Sequence, residues 1–166
     1  ALTEKFEKED RYSEWNELLH QYWVLVVTQL AQHNGFVDAF QGDSCLGIWT
    51  RPQQRDAACE AAIGIRNALE NFNRSNEHPD LITRLGVHCG KFWIGETGLV
   101  GQGTVRSGGP LNIASRIQNA NEVLGTEAIV SEQVIDGLES DIVTRPLGAF
   151  LVKGKSEPLQ LHELIG

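Results

Sequence analysis

Apolar residues recur at helical spacing from about Lys8 to His33, where Trp15, Leu18, Leu19, Tyr22, Val26 and Leu30 share one face. Asn34-Gly35 supplies a stop for that helix. Two short apolar runs follow, Phe36 to Phe40 and Cys45 to Trp49, on either side of Gly42-Asp43, and this pattern predicts a β-hairpin. Pro52 opens a second helix, Gln53 to about Arg74. Its Ala57, Ala58, Ala61, Ala62, Ile65, Ala68, Leu69 and Phe72 form a narrow face suited to close packing against a sheet.

His78-Pro79-Asp80 makes a loop. Ile82 to Cys89 and Lys91 to Gly95 read as a strand pair around Gly90. Between Gly98 and Gly109 five of twelve residues are glycine, which predicts a mobile loop. Pro110 then suits the first turn of a third helix, Leu111 to Asn121. A strand near Glu127 to Val130 comes next, then a short helix near Ser131 with Glu132 in its first turn. A last strand pair surrounds Lys153-Gly154-Lys155. This order predicts an α/β (α+β) fold with a mostly antiparallel, palm-type sheet flanked by helices. Helix, hairpin, helix matches the interior of a ferredoxin-like unit, which also needs a strand ahead of its first helix; the sequence holds none.

At 166 residues the chain is expected to form a single domain, residues 1–166. Its N-terminus reads as a cut edge. The net charge of −8 argues against duplex nucleic acid as a partner, because phosphate binding needs a basic face. The longest apolar stretch, Tyr22 to Val27, is too short to cross a bilayer, so the domain itself is expected to make no membrane contact, although its parent protein could be anchored. Cys45, Cys59 and Cys89 are odd in number and widely spaced, which suggests neither a disulfide framework nor a zinc site and fits a cytoplasmic setting.

Several residues carry possible chemistry. Asp43 at the hairpin tip is either a turn residue or a ligand fixed by the flanking strands. Asn112 and Arg116 lie one helical turn apart, and an amide beside a guanidinium suits developing charge on phosphorus; taken alone, the spacing favours a solvated helix face. Lys153 and Lys155 sit on a tight turn. His88 reads as a satisfied core histidine, since no second His or Cys lies at ligand spacing. The glycine-rich segment matches neither a P-loop nor a dinucleotide fingerprint.

Taken in order, five segments resemble the catalytic domain of the class III nucleotide cyclases, the adenylyl and guanylyl cyclases. They are Asn34 to Asp43, Asp56 to Ile63, Arg84 to Gly90 with Ile94-Gly95, Leu111 to Arg116, and Arg145 to Gly148 with Val152 to Pro158. The resemblance implies a homodimer with a shared active site that converts a nucleoside triphosphate, ATP rather than GTP, to its 3′,5′-cyclic nucleotide and pyrophosphate. It implies Mg²⁺ or Mn²⁺ as cofactor, held by two aspartates, with the metals activating the ribose 3′-hydroxyl. Asp43 matches the second metal-binding aspartate, Asn112 and Arg116 the ribose and transition-state pair, and Lys153 the triphosphate lysine.

The departures from the family pattern bear on activity. The family's first metal aspartate lies on an opening strand absent from this sequence, so the chain is expected to be N-terminally incomplete and, as it stands, to make no measurable cyclic nucleotide. Ala39 occupies the position of the base-reading Lys or Glu. Val105 occupies the second base-reading position, with Thr104 adjacent. A catalytically inactive cyclase-like module for dimerisation, nucleotide binding or signal relay is therefore the alternative. A diguanylate cyclase is a weaker one, for lack of its Gly-Gly-Asp/Glu-Glu-Phe tip.

Overall fold

The computed structural model describes residues 10–51, 54–75, 78–96, 104–107, 109–151 and 157–166, with backbone alone for 94–96 and 104–107. Lys8, Pro52, Gln53 and the Lys153-Gly154-Lys155 turn lie outside the described residues. The chain divides into two compact units, Ala1–Leu81 and Ile82–Gly166.

In the first unit, helix α1 spans Tyr12–Gln32 and buries Leu18, Val26 and Leu30. It ends in a Schellman motif: Gly35 N–H donates to the Leu30 carbonyl at 2.8 Å and Asn34 N–H to the Ala31 carbonyl at 3.1 Å. Asn34 itself takes the left-handed position, with φ +59°. The stop was legible as Asn34-Gly35, but the asparagine adopts the left-handed turn and the glycine serves another need. Strands β1 (Phe36–Gln41) and β2 (Ser44–Ile48) form the antiparallel hairpin, with Gln41 paired to Ser44. Helix α2 (Gln54–Ser75) packs on α1 through its small-residue face and buries Ala58, Cys59, Ala61, Ala62, Ile65 and Leu69.

The second unit holds a four-stranded sheet in the order β3-β6-β8-β7. These strands are β3 (Leu85–Val87), β6 (Ala128–Ser131), β7 (Thr144–Phe150) and β8 (Leu159–Leu164). A separate pair joins β4 (Trp93–Glu96) to β5 (Thr104–Ser107). Two expectations are corrected here. The strands around Gly90 do not pair with each other; β3 runs parallel to β6, and β4 pairs with β5. The glycine-rich segment is also not loop throughout, since it contains β5. All other ladders are antiparallel, as expected.

Helix α3 (Gly109–Leu124) crosses from β5 to β6 and lies on β3 and β6. Its Ile113 and Ile117 join Ile129, Leu159 and Leu161 in the unit's core. Gly125, with φ +65°, ends α3 in a second Schellman motif, in which Thr126 N–H donates to the Asn121 carbonyl at 3.1 Å. The short helix α4 (Glu132–Ile135) follows β6 directly and buries Val134. Among the described residues, no helix is long and apolar enough to cross a membrane.

Candidate functional site

The hairpin places Asp43 at the second of two turn residues. Gly42 before it has φ +60°, the conformation that a two-residue type II′ turn demands of its first central position. The Ser44 hydroxyl donates to the Gln41 carbonyl at 2.9 Å, closing the base of the turn. The Asp43 carboxylate is therefore exposed on a tip whose backbone is fixed. Ala39 lies on β1 opposite Leu46, beside an irregularity between Val37 and Ala39, and its methyl group is exposed.

In the other unit, Asn112 is exposed and Arg116 half-buried, one turn apart on α3. The same helix turns Ile113 and Ile117 inward, so the sequence period that fills the core leaves Asn112 and Arg116 off the apolar stripe. Val105 is in β5, paired with Gly95. Lys153 lies outside the described residues. The structure thus brings Asn112 and Arg116 together on one helix, and sets Asp43 on its turn within the first unit.

Sequence reasoning read His88 as a satisfied core histidine; the structure leaves it half-buried, with its Nδ1 2.7 Å from the Oγ of the fully buried Ser131. That reasoning missed three polar features nearby. The His162 ring pairs with the Glu132 carboxylate, tying β8 to α4. Cys89 Sγ lies 3.1 Å from the Gln133 carbonyl oxygen. Asn121, 1% exposed, sits where Ile113 and Ile117 predict a third apolar residue. An asparagine on the apolar stripe of an amphipathic helix was the available signal, because a buried amide requires partners.

The Arg11 guanidinium, hydrogen-bonded to the exposed Glu14 carboxylate at 2.9 Å, lowers the Glu14 pKa. Burial raises that of the Cys45 thiol. Among the described residues, no three His, Cys, Asp or Glu side chains converge as a metal cage. Asp43 provides one exposed carboxylate, so the described residues do not by themselves fit a two-metal centre.

No family model matches the chain. It is 31% identical over 157 residues to adenylate cyclase 1 of Rhizobium meliloti (strain 1021), a match covering 90% of this chain and 24% of that protein. The chain thus spans about a quarter of that relative's length. Among solved structures it is similar to the adenylyl cyclase CyaB from P. aeruginosa, with a TM-score of 0.78 and 21% identity over 99% of this chain and 87% of that one. The guanylyl cyclase Cya2 aligns with a TM-score of 0.81 and 20% identity, over 93% of this chain and 81% of its own.

Proposed function

This chain belongs to the class III nucleotide cyclases, and from that premise we propose that it takes part in cyclising a nucleoside triphosphate within a homodimer, with ATP as the preferred substrate. In that reaction the ribose 3′-oxygen forms a bond to the α-phosphorus and gives up its proton to water. The bond from the α-phosphorus to the bridging oxygen breaks, and pyrophosphate leaves. Charge builds on the phosphoryl oxygens along this path, and a fixed guanidinium stabilises it without reorganising water.

The observation that carries the proposal is the placement of Asn112 and Arg116. Both project off the apolar stripe of a helix whose adjoining face is built into the core, so amide and guanidinium are presented together from a rigid element. In our reading Asn112 orients the ribose, Arg116 stabilises the reacting phosphoryl group and Lys153 holds the triphosphate. Asp43 would offer one carboxylate to a Mg²⁺ or Mn²⁺ ion, which when bound would supply Lewis acidity and needs further ligands beyond the described residues. The preference for ATP draws support from the relative, itself named an adenylate cyclase.

A second reading, a nucleotide-binding or relay module without turnover, is favoured by Ala39. Its exposed methyl group offers a base no hydrogen bond. The discriminating experiment supplies ATP or GTP with Mg²⁺ or Mn²⁺ to the full-length protein and measures cyclic nucleotide formed. Production that falls sharply in Arg116→Ala supports the enzyme. Nucleotide binding without production supports the module, and production indifferent to both Asn112→Ala and Arg116→Ala overturns the assigned roles.

A further inference from the structure

Helix α3 is held to β3 by a backbone contact at one point and by a buried amide at another. A Cβ placed on Gly86 would lie 2.5 Å from the Ala114 carbonyl oxygen and 2.8 Å from Gln118 Cα. Those are backbone atoms of the helix, so no side chain can yield, and glycine alone permits this approach. Farther along α3, Asn121 Nδ2 donates to the Leu85 carbonyl of β3 at 2.9 Å and to the Gln118 carbonyl of its own helix at 2.9 Å. Its Oδ1 accepts from Thr126 Oγ1 at 2.9 Å. Gly86 therefore sets the depth of α3 on the strand, and Asn121 sets its position along the helix axis.

This clamp lies on the side of α3 opposite the reactive pair. At about 100° per residue, Arg116 and Asn112 each stand roughly 200° around the axis from Ala114, in opposite senses. Arg116 is about 7.5 Å and Asn112 about 13.5 Å along the helix from Asn121, at 1.5 Å per residue. Over so short a span the helix moves as one body, and a slip at the clamp reaches both side chains. A misplacement of about 1 Å in an active site can cost roughly 100-fold in rate.

We propose that Asn121, together with Gly86, is a positioning residue for the cyclisation, holding Asn112 and Arg116 in register with the reacting phosphate. The proposal rests on the reading that those two residues act there. Neither clamp residue touches substrate in this scheme; both act through α3.

The test measures kcat and KM for ATP in the full-length protein carrying Asn121→Ala, beside thermal stability and binding of a fluorescent triphosphate analogue. Val134→Ala, a buried truncation in α4 outside the clamp, is the stability comparator. We expect Asn121→Ala to lower kcat at least tenfold with KM within about twofold, while Val134→Ala loses stability and keeps its kcat. Asn121→Ser, whose shorter side chain cannot reach the Leu85 carbonyl, carries the same expectation should the alanine variant prove insoluble. Equal falls in kcat for Val134→Ala and the Asn121 variants, or a kcat within twofold of wild type in the latter, would overturn the positioning role alone. A wild-type protein that neither turns over nor binds the analogue would overturn the assigned function and the positioning role with it.

Discussion

The indole of Trp49 occupies the space beside Gly35: a Cβ on Gly35 would lie 2.5 Å from Trp49 Cε2. The same ring donates its Nε1–H to the His33 carbonyl at 2.9 Å, so one side chain from the end of the hairpin closes the C-terminus of α1. Gly35→Ala should therefore displace the ring and cost about 1–3 kcal/mol, the range for overpacking a filled site. Trp49→Phe keeps most of the packing but leaves the carbonyl without its indole donor, for about 1 kcal/mol. Asn34→Ala, at φ +59°, should cost roughly 1–2 kcal/mol, whereas Asn34→Gly should be neutral. Urea unfolding midpoints measure all four. An unchanged midpoint in Gly35→Ala would show that the ring does not hold this position in solution.

Arg116→Ala should lower cyclic nucleotide formation by about 100- to 1,000-fold, the scale for removing one donor to developing charge. Arg116→Lys should recover little, because an ammonium lacks the planar fork of a guanidinium. The ratio of ATP to GTP turnover should stay constant in both variants, since this side chain is assigned to phosphate and not to base. A change in that ratio with overall rate preserved would reassign Arg116 to base recognition.

The hairpin and the helices were legible because each rests on local pattern. Gly42-Asp43 between two apolar runs fixes a two-residue turn, and Ile113 with Ile117 fixes which face of α3 turns inward. The partners of β3 and β4 were not legible. Leu85-Gly86-Val87 is too short to show alternation, and Gly90 stands between two strand-like runs as a turn residue would. What decides is contact distant in sequence: Gly86 lets α3 seat against β3, and the crossover through α3 then delivers β6 parallel to it. The strand β5 was hidden for a related reason, since glycine spacing reads as loop even where backbone pairing overrides it.

Ala39 should accept longer side chains readily, because it is exposed on β1. If position 39 reads the base, as the resemblance to adenylyl and guanylyl cyclases implies, Ala39→Lys would supply a donor and Ala39→Glu a guanine-reading acceptor. One well-placed hydrogen bond of about 1.4 kcal/mol corresponds to tenfold in selectivity. The expected outcome is a roughly tenfold rise in the ATP-to-GTP ratio of kcat/KM for the lysine variant, and a shift the other way for the glutamate variant. Identical ratios in all three proteins would remove position 39 from the base site.

Cys45 gives stability a pH dependence whose sign follows from burial. Its folded pKa is raised above the ordinary 9.0 because desolvation disfavours the thiolate. Below about pH 9 the folded and unfolded chains both keep the proton, and stability is fully present. As pH rises further the unfolded chain loses the proton while the folded chain retains it, so the unfolded state is favoured progressively until the folded thiol also ionises. Cys45→Ala should lie below wild type at pH 7 through lost packing, but it carries no thiol to titrate. The gap between the two unfolding midpoints should therefore narrow from pH 8 to pH 10.5. Comparing the two proteins isolates Cys45 from the lysines and tyrosines that titrate in both, and a gap constant across that interval would mean that the thiol ionises alike in the folded and unfolded chains.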